Sequence, residues 1–461
     1  MSSSLDTSAA LASELSQLVG AKHVLTGDVP EYLHDATETA GLRGRADGIV
    51  RPANAEEVAR VLAWCYEHDV PIVPRGGGTG YAGGAVPFGG VVLSLERLNR
   101  VRSFEPLLWR INVEAGVRTS ELRRIARESG LYFPPDPGSA ESSQIGGNIA
   151  TNAGGPHAFK YGVTGAWVTG LEAVVPPGEL IQLGGPIRKD VAGYDLKSLL
   201  VGSEGTLGIV TAAWLKLLPA PEATLPVAAF YGSAEAGCRA IERVLGFGLV
   251  PAALEYLDGA TLSAAGSTFP GGTPAGAEFL VLAEADGPAE EADRLQRELA
   301  EALEEEALAL SSPRAPAETN ALWRWREGVS LAVTARRGGK LSEDIVVPPE
   351  RLAEAIAATL EIGRRHNLPA CSWGHAGDGN LHSTFMLAPD DPSERRRALE
   401  AARELFELAR TLGGSISGEH GVGVVKAGEL ERDRSPRAHA LHRDLKRLFD
   451  PKGLLNPGKK V

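Results

Sequence analysis

At 461 residues, 43% of them hydrophobic, the chain is long enough to bury two or three cores, and its formal net charge of −12 argues against nucleic acid or an anionic membrane surface as its main partner. Its three cysteines, Cys65, Cys238 and Cys371, lie far apart with no Cys-x-x-Cys spacing, so neither a disulfide framework nor an iron–sulfur cluster is encoded, and reduced thiols in a cytoplasmic protein are predicted. Residues 1–20 carry no Lys or Arg and no continuous apolar run, so no targeting peptide is predicted, and no stretch approaches the roughly 20 apolar residues of a membrane span.

Leu11, Leu15 and Leu18 fit a short leading helix. Ile49–Pro52 reads as a strand, Asn54 with Glu57 as the opening of a helix, and Val58, Val61, Leu62 and Cys65 as its buried stripe. A second strand, Val70–Val73, delivers Pro74–Gly84, in which six of eleven residues are glycine. Such a backbone approaches a ligand closely and offers its N–H groups to phosphate. Gly78, Gly80 and Gly83 even reproduce the dinucleotide spacing Gly-x-Gly-x-x-Gly, but the chain continues into the strand-like Val91–Leu95 and not into a helix, which speaks against a nicotinamide site. Arg110–Ala115 reads as a strand, and Thr119 is predicted to cap a helix that carries Leu122 and Ile125 and stops at Gly130. Ile145–Gly155 keeps its side chains small over a long run, as a segment pressed against a flat ring system would. Gly170–Val175 and Gly208–Leu218 resume strand character, and Pro219-Ala220-Pro221 marks a boundary. Beyond it Leu225–Tyr231 and Phe279–Glu284 read as strands, and a helix from Pro288 to about Leu310 is predicted with Leu295, Leu299 and Leu303 on one face.

Three of the ten histidines and their neighbouring carboxylates crowd into two short motifs. Gly374–His382 is predicted to hold His375 and His382 in one glycine-rich turn, and Ser417–Gly423 adds Glu419 and His420. Two imidazoles and a carboxylate with open positions make an adequate site for Zn²⁺, Mn²⁺ or Fe²⁺, which sequence does not rank. On these residues alone a plain glycine turn or a flavin-free metal hydrolase stays open.

Pro74–Gly84, Pro134–Ser139, Ile145–Gly155 and Gly202–Thr211 resemble, in order, the four flavin-contacting segments of the vanillyl-alcohol-oxidase type of FAD protein. The likeness runs to the closing Phe449–Lys459 and is greatest for the branch holding D-lactate dehydrogenases, glycolate oxidase catalytic subunits and D-2-hydroxyglutarate dehydrogenases. It implies an α+β fold: a two-part FAD-binding domain of the PCMH (p-cresol methylhydroxylase) type over residues 1–221, an FAD-linked-oxidase C-terminal α+β substrate domain over 222–413, and a segment, 414–461, that returns to the FAD domain. By resemblance FAD falls to Pro74, Arg75, Gly76, Gly77, Gly78, Thr79 and Gly80, to Pro135, Asp136, Gly138 and Ser139, to Gly146, Gly147, Asn148, Thr151, Asn152 and Gly155, to Glu204, Gly205, Gly208 and Ile209, and to Asn456. Thr79 and the lack of a histidine in the first loop imply non-covalent flavin.

The same resemblance makes His375, His382 and Glu419 ligands of a divalent metal, Zn²⁺ or Mn²⁺, His420 the general base and Arg326 the clamp on a substrate carboxylate. The implied reaction is oxidation of a small D-2-hydroxy acid, D-lactate, glycolate or similar, to the 2-keto acid by hydride transfer to flavin N5. Ser342 and Thr384 stand where the hydroxyglutarate type has a lysine and an asparagine, which weakens the case for a second substrate carboxylate. The implied acceptor is external: a quinone, a cytochrome, an electron-transfer flavoprotein or partner subunits, with a homodimer left open. Rivals are a flavin-binding subunit of a glycolate oxidase-type complex and an ether-lipid synthase-like flavoprotein. The expected place is the cytoplasm, or the inner face of the membrane through a partner.

Overall fold

A computed structural model describes residues 3–37 and 42–460, which form two compact units. The first comprises residues 1–153, 163–219 and 419–461, and the second 154–162 and 220–418. Residues 154–162, placed by the sequence in the first domain, thus pack within the second unit.

In the first unit β1 (Val24–Leu25), β2 (Gly48–Val50), β3 (Ile72–Arg75) and β4 (Val91–Ser94) form a sheet of order β1-β2-β4-β3, with β4 parallel to both β2 and β3. The helix Ala55–Glu67 lies between β2 and β3 in sequence and buries Val58, Val61, Leu62 and Cys65 against Leu15, Ile72 and Leu93. Its start is as the sequence predicts: Asn54 Oδ1 accepts from the Glu57 amide at 2.8 Å, and Glu57 reaches back to the Ala53 amide. The chain end runs beside β3, with the Ile72 amide donating to Leu454 and the Asn456 amide to Ile72. A second sheet, antiparallel and of order β5-β6-β10-β8-β9, comprises β5 (Val101–Glu105), β6 (Arg110–Glu114), β8 (Val168–Val175), β9 (Glu179–Gly184) and β10 (Ile209–Lys216). Short β7 (Leu131–Tyr132) and β11 (Leu218–Pro219) pair with one another.

One predicted feature of this unit differs. The helix Thr119–Glu128 has Arg118 at its N-cap, because the Thr119 hydroxyl is engaged with Ser143 Oγ at 2.8 Å. The small-residue run after Gln144 begins as a helix, Ile145–Thr151, which ends where Asn152 turns to φ +54°.

The second unit is built on one antiparallel sheet: β12 (Ala223–Tyr231), β13 (Ala253–Asp258), β14 (Phe279–Gly287), β15 (Ala307–Ser311), β16 (Gly339–Val346), β17 (Ala370–His375) and β18 (Asn380–Leu387), in the order β15-β12-β14-β13-β17-β18-β16. Alternation along the strands divides residues between two faces. Val227, Tyr231, Leu254, Tyr256, Val281, Leu381 and Phe385 take one face and pack under the helices Ala234–Gly246, Ala289–Glu304, Leu352–Arg365 and Pro392–Thr411. Phe230, Leu257, Leu282, Trp373 and Met386 take the other, partly covered by Pro316–Glu327 and Val329–Ala335. The helix predicted to reach Leu310 ends at Glu304, because Glu306 adopts φ +65° and Ala307–Ser311 leaves to pair with β12. Leu299 and Leu303 are buried as predicted, with Leu295 half-buried beside them. Among the described residues no helix is long and apolar enough to cross a membrane.

Packing predicts opposite signs for two glycines of one helix. A Cβ on Gly237 would lie 2.0 Å from Cδ1 of Phe279, whose buried ring stacks on Tyr256, whereas one on Gly246 meets nothing within 4 Å. Gly237→Ala is expected to destabilise by roughly 1–3 kcal/mol, and Gly246→Ala to be neutral or stabilising by up to about 1 kcal/mol. Urea denaturation checks both; a raised midpoint for Gly237→Ala would contradict the packing described.

Candidate active site

The second unit gathers its ionisable residues on the helix-poor part of one sheet face. His375 ends β17 and His382 lies within β18, so the two histidines flank the glycine turn and do not share it, as the sequence predicts they would. In the antiparallel register His375 faces Asn380 and His382 faces Trp373, which makes the two histidines diagonal neighbours on one face. Their rings meet edge-on at a centroid distance of 5.3 Å, and each offers a ring nitrogen within 4.8 Å of the other's. Two nitrogens so placed could hold one divalent ion between them.

The neighbouring strand supplies a residue the sequence did not flag. Glu255 on β13 stands directly opposite His375, is fully buried, and takes two donors: His375 Nδ1 at 2.6 Å and Arg326 Nη2 at 2.5 Å. A carboxylate only accepts, so Nδ1 carries the proton and Nε2 is left with its lone pair. Burial pushes the Glu255 carboxyl up, but His375 and Arg326 outweigh it and hold it below its ordinary value. Arg326 comes from the helix Pro316–Glu327, and its Nε is buried with no hydrogen-bond partner among the described residues. The one sequence signal for Glu255 was an acid in the middle of the apolar run Ala253–Leu257.

Across β18, Asp344 of β16 is the register partner of His382 and is fully buried. It accepts from Ser417 Oγ at 3.1 Å and the Gly418 amide at 2.9 Å. The chain is therefore anchored to this face up to Gly418, and Glu419 follows one peptide bond later. One pair further along, Ser342 and Thr384 hydrogen-bond at 2.7 Å, a neutral pair. Lys340 lies over the Trp373 ring at 5.2 Å and donates to Ser330. On β14, Glu284 accepts from His157 and Trp323, and Asp286 from Lys160 and Tyr161, which holds the segment 154–162, Gly155 included, to this sheet.

In the first unit the glycine loop leaves β3 and meets the start of the helix Ile145–Thr151. A Cβ on Gly77 would lie 2.2 Å from the Ser142 carbonyl oxygen, so only glycine permits the approach, and one on Gly76 would touch Gly147 at 3.4 Å. A Cβ on Gly147 or Gly138 would project into open space, and Gln144 Oε1, near Gly76, is buried with no partner among the described residues. A cradle of bare backbone with an unmatched polar atom fits the phosphates and ring edge of a flavin dinucleotide.

Several residues assigned to flavin act on the protein itself. The Arg75 guanidinium turns away and donates to the carbonyls of Glu31 and His34, each at 2.7 Å. Asn148 donates to Thr119 Oγ1, Thr151 to the Gly147 carbonyl, and Asn152 accepts from the Gly165 amide. Pro74 packs where a Cβ on Gly205 would lie 3.2 Å away, and Gly208 lies against Leu200 and Val175 at the start of β10, where Ile209 pairs with Val174. The Glu204 carboxylate accepts from the amides of Val422 (2.9 Å) and Gly423 (2.6 Å) and from Lys460. Asn456 bridges the carbonyls of Gly84 and Glu204 while accepting from Lys459, whose burial pushes its amine down to about 8. The segment after His420 is thus bound to Glu204, and the His420 ring lies 4.7 Å from that of Tyr81 in the first glycine loop. Glu419 Oε1 lies 3.8 Å from His420 Nε2.

Comparison with known proteins supports the flavin. Residues 220–460 match the family model "FAD linked oxidases, C-terminal domain" and residues 46–184 the model "FAD binding domain". The chain is 39% identical to the glycolate oxidase subunit GlcD of Bacillus subtilis, over 93% of this chain and 91% of that one. It is 33% identical to a D-lactate dehydrogenase of Anaerostipes hadrus, over 96% and 95%. Crystalline p-cresol methylhydroxylase superposes with a TM-score of 0.81 at 16% identity, over 100% of this chain and 97% of that one, a likeness of fold. The chain belongs to the FAD-linked oxidases and is an FAD-binding oxidoreductase of PCMH-type fold.

Proposed function

We propose that this oxidoreductase converts a small D-2-hydroxy acid of the D-lactate or glycolate class to its 2-keto acid and passes the electrons to an external acceptor. The observation that carries this reading is the convergence, on one buried sheet face, of His375, His382 and an Arg326 whose Nε donor has no protein acceptor among the described residues. An N–H left unmet in the interior costs about 1–3 kcal/mol, and a substrate carboxylate would relieve it. The names of the relatives, a glycolate oxidase subunit and a D-lactate dehydrogenase, point to the same substrate class. The neutral Ser342–Thr384 pair favours a short, uncharged substrate tail.

His375, through Nε2, and His382, with Glu419, would hold a divalent ion such as Zn²⁺ or Mn²⁺. When bound, the ion supplies a Lewis acid for the substrate hydroxyl, and FAD supplies the two-electron acceptor for the hydride leaving Cα. His420 takes the hydroxyl proton, a task suited to an imidazole near neutral pH. Arg326 fixes the carboxylate end of the substrate. Glu204 supports this role of His420 by holding the two amides that follow Gly421. The flavin is held without a covalent bond, since the loop Pro74–Gly84 offers backbone donors and no histidine. Partner subunits are the favoured acceptor, in keeping with a relative named as a subunit.

Acid precipitation of the purified protein is expected to release its flavin to the supernatant, and colour retained in the pellet would contradict non-covalent binding. Anaerobic D-lactate or glycolate is expected to bleach the flavin and L-lactate to do so far more slowly, with bleaching by neither D-lactate nor glycolate counting against the substrate class. Chelation should stop that bleaching without altering the flavin spectrum, and added Zn²⁺ or Mn²⁺ should restore it. His420→Ala is expected to keep FAD and metal yet slow flavin reduction by roughly 100-fold or more, while His375→Ala loses the metal. Stopped-flow reduction and metal analysis on both variants decide the division of roles, which fails if His420→Ala also loses the ion.

A further inference from the structure

We infer that Glu255 is a positioning residue that aligns two functional groups at once: it fixes His375 so that Nε2 faces the ion, and it orients the Arg326 guanidinium toward the substrate carboxylate. The inference rests on the proposed roles of His375 and Arg326. Glu255 sits opposite His375 in the β13–β17 register, has no solvent exposure, and spends one carboxylate oxygen on His375 Nδ1 (2.6 Å) and the other on Arg326 Nη2 (2.5 Å). Each oxygen thus answers to a different side chain. Rotation of the His375 ring would break one contact and leave a buried charge short of a partner, which makes the presented nitrogen a consequence of the strand pairing. Arg326 is pinned at Nη2 and so keeps Nε for another acceptor. Ion affinity and substrate affinity therefore share one carboxylate, although Glu255 itself need touch neither ligand.

The test uses the full-length flavoprotein and measures Zn²⁺ or Mn²⁺ affinity by competition with a chromophoric chelator, with no turnover involved. Glu255→Gln keeps the shape and an acceptor oxygen but removes the charge, and is expected to weaken ion binding 10- to 100-fold. With the ion at saturation it should also raise KM for D-lactate more than it lowers kcat, because Arg326 has lost its orienting partner. A merely structural role would lower thermal stability and leave ion affinity and the KM to kcat balance unchanged; that result overturns the inference. Should Glu255→Gln fold poorly, the double variant Glu255→Gln with Arg326→Gln removes both charges, and the same loss of ion affinity is expected in it. Wild-type protein that binds the ion no better than His375→Ala overturns the metal reading and this inference together. Tight His375-dependent binding that survives in both Glu255 variants overturns the inference alone.

Discussion

A carboxylate with no solvent exposure must find its hydrogen-bond and charge partners inside the protein, and Glu255 of β13 does so with His375 and Arg326. Much of the second unit is arranged around that requirement. The register of β13 with β17 puts an imidazole opposite the acid, the hairpin to β18 brings His382 alongside, and the helix over the same face lowers a guanidinium onto it. Removing one partner of a buried pair typically costs about 3–5 kcal/mol, so the same contacts that orient the chemistry also stabilise the layer. The opposite face packs its apolar residues beneath four helices.

The first unit solves a different problem, how to hold bare backbone in place. Glycine loops have no side chains with which to anchor themselves, and here buried polar groups from distant parts of the chain do it for them. Glu204 takes two amides beyond His420, and Asn456 ties the end of the glycine loop to Glu204 from the last turn of the chain. Glu204 and Asn456 both adopt positive φ, at +54° and +46°, which the density of hydrogen bonds around them sustains. Residues that look like ligand contacts in a motif can therefore be scaffolding for contacts made by backbone.

What could be read from the sequence was whatever repeats in one short stretch. The glycine runs declare close approach, and His375, His382, Glu419 and His420 declare themselves by crowding. The cap at Asn54 and the stripe through Leu299 and Leu303 follow from local periodicity and hold in the structure. Glu255 was not legible, because its meaning lies in strand pairing across 120 residues to His375. Arg326 was legible as a cation but not as one already half committed to an acid. The glycines Gly374, Gly377 and Gly379 around them place His375 and His382 in a turn on sequence, whereas β17 and β18, buried along almost their whole length, carry both into strands. Glu306 broke a helix that composition alone would have extended.

The most direct measurement is an anomalous difference map from crystals of the flavin-loaded protein soaked with Zn²⁺ and, separately, Mn²⁺, each collected at the metal's absorption edge. The account predicts one strong peak at about 2.0–2.2 Å from His375 Nε2, shared with His382 and Glu419, while Nδ1 of His375 stays on Glu255. A peak on Nδ1, or ions bound elsewhere with none beside His375, would contradict it.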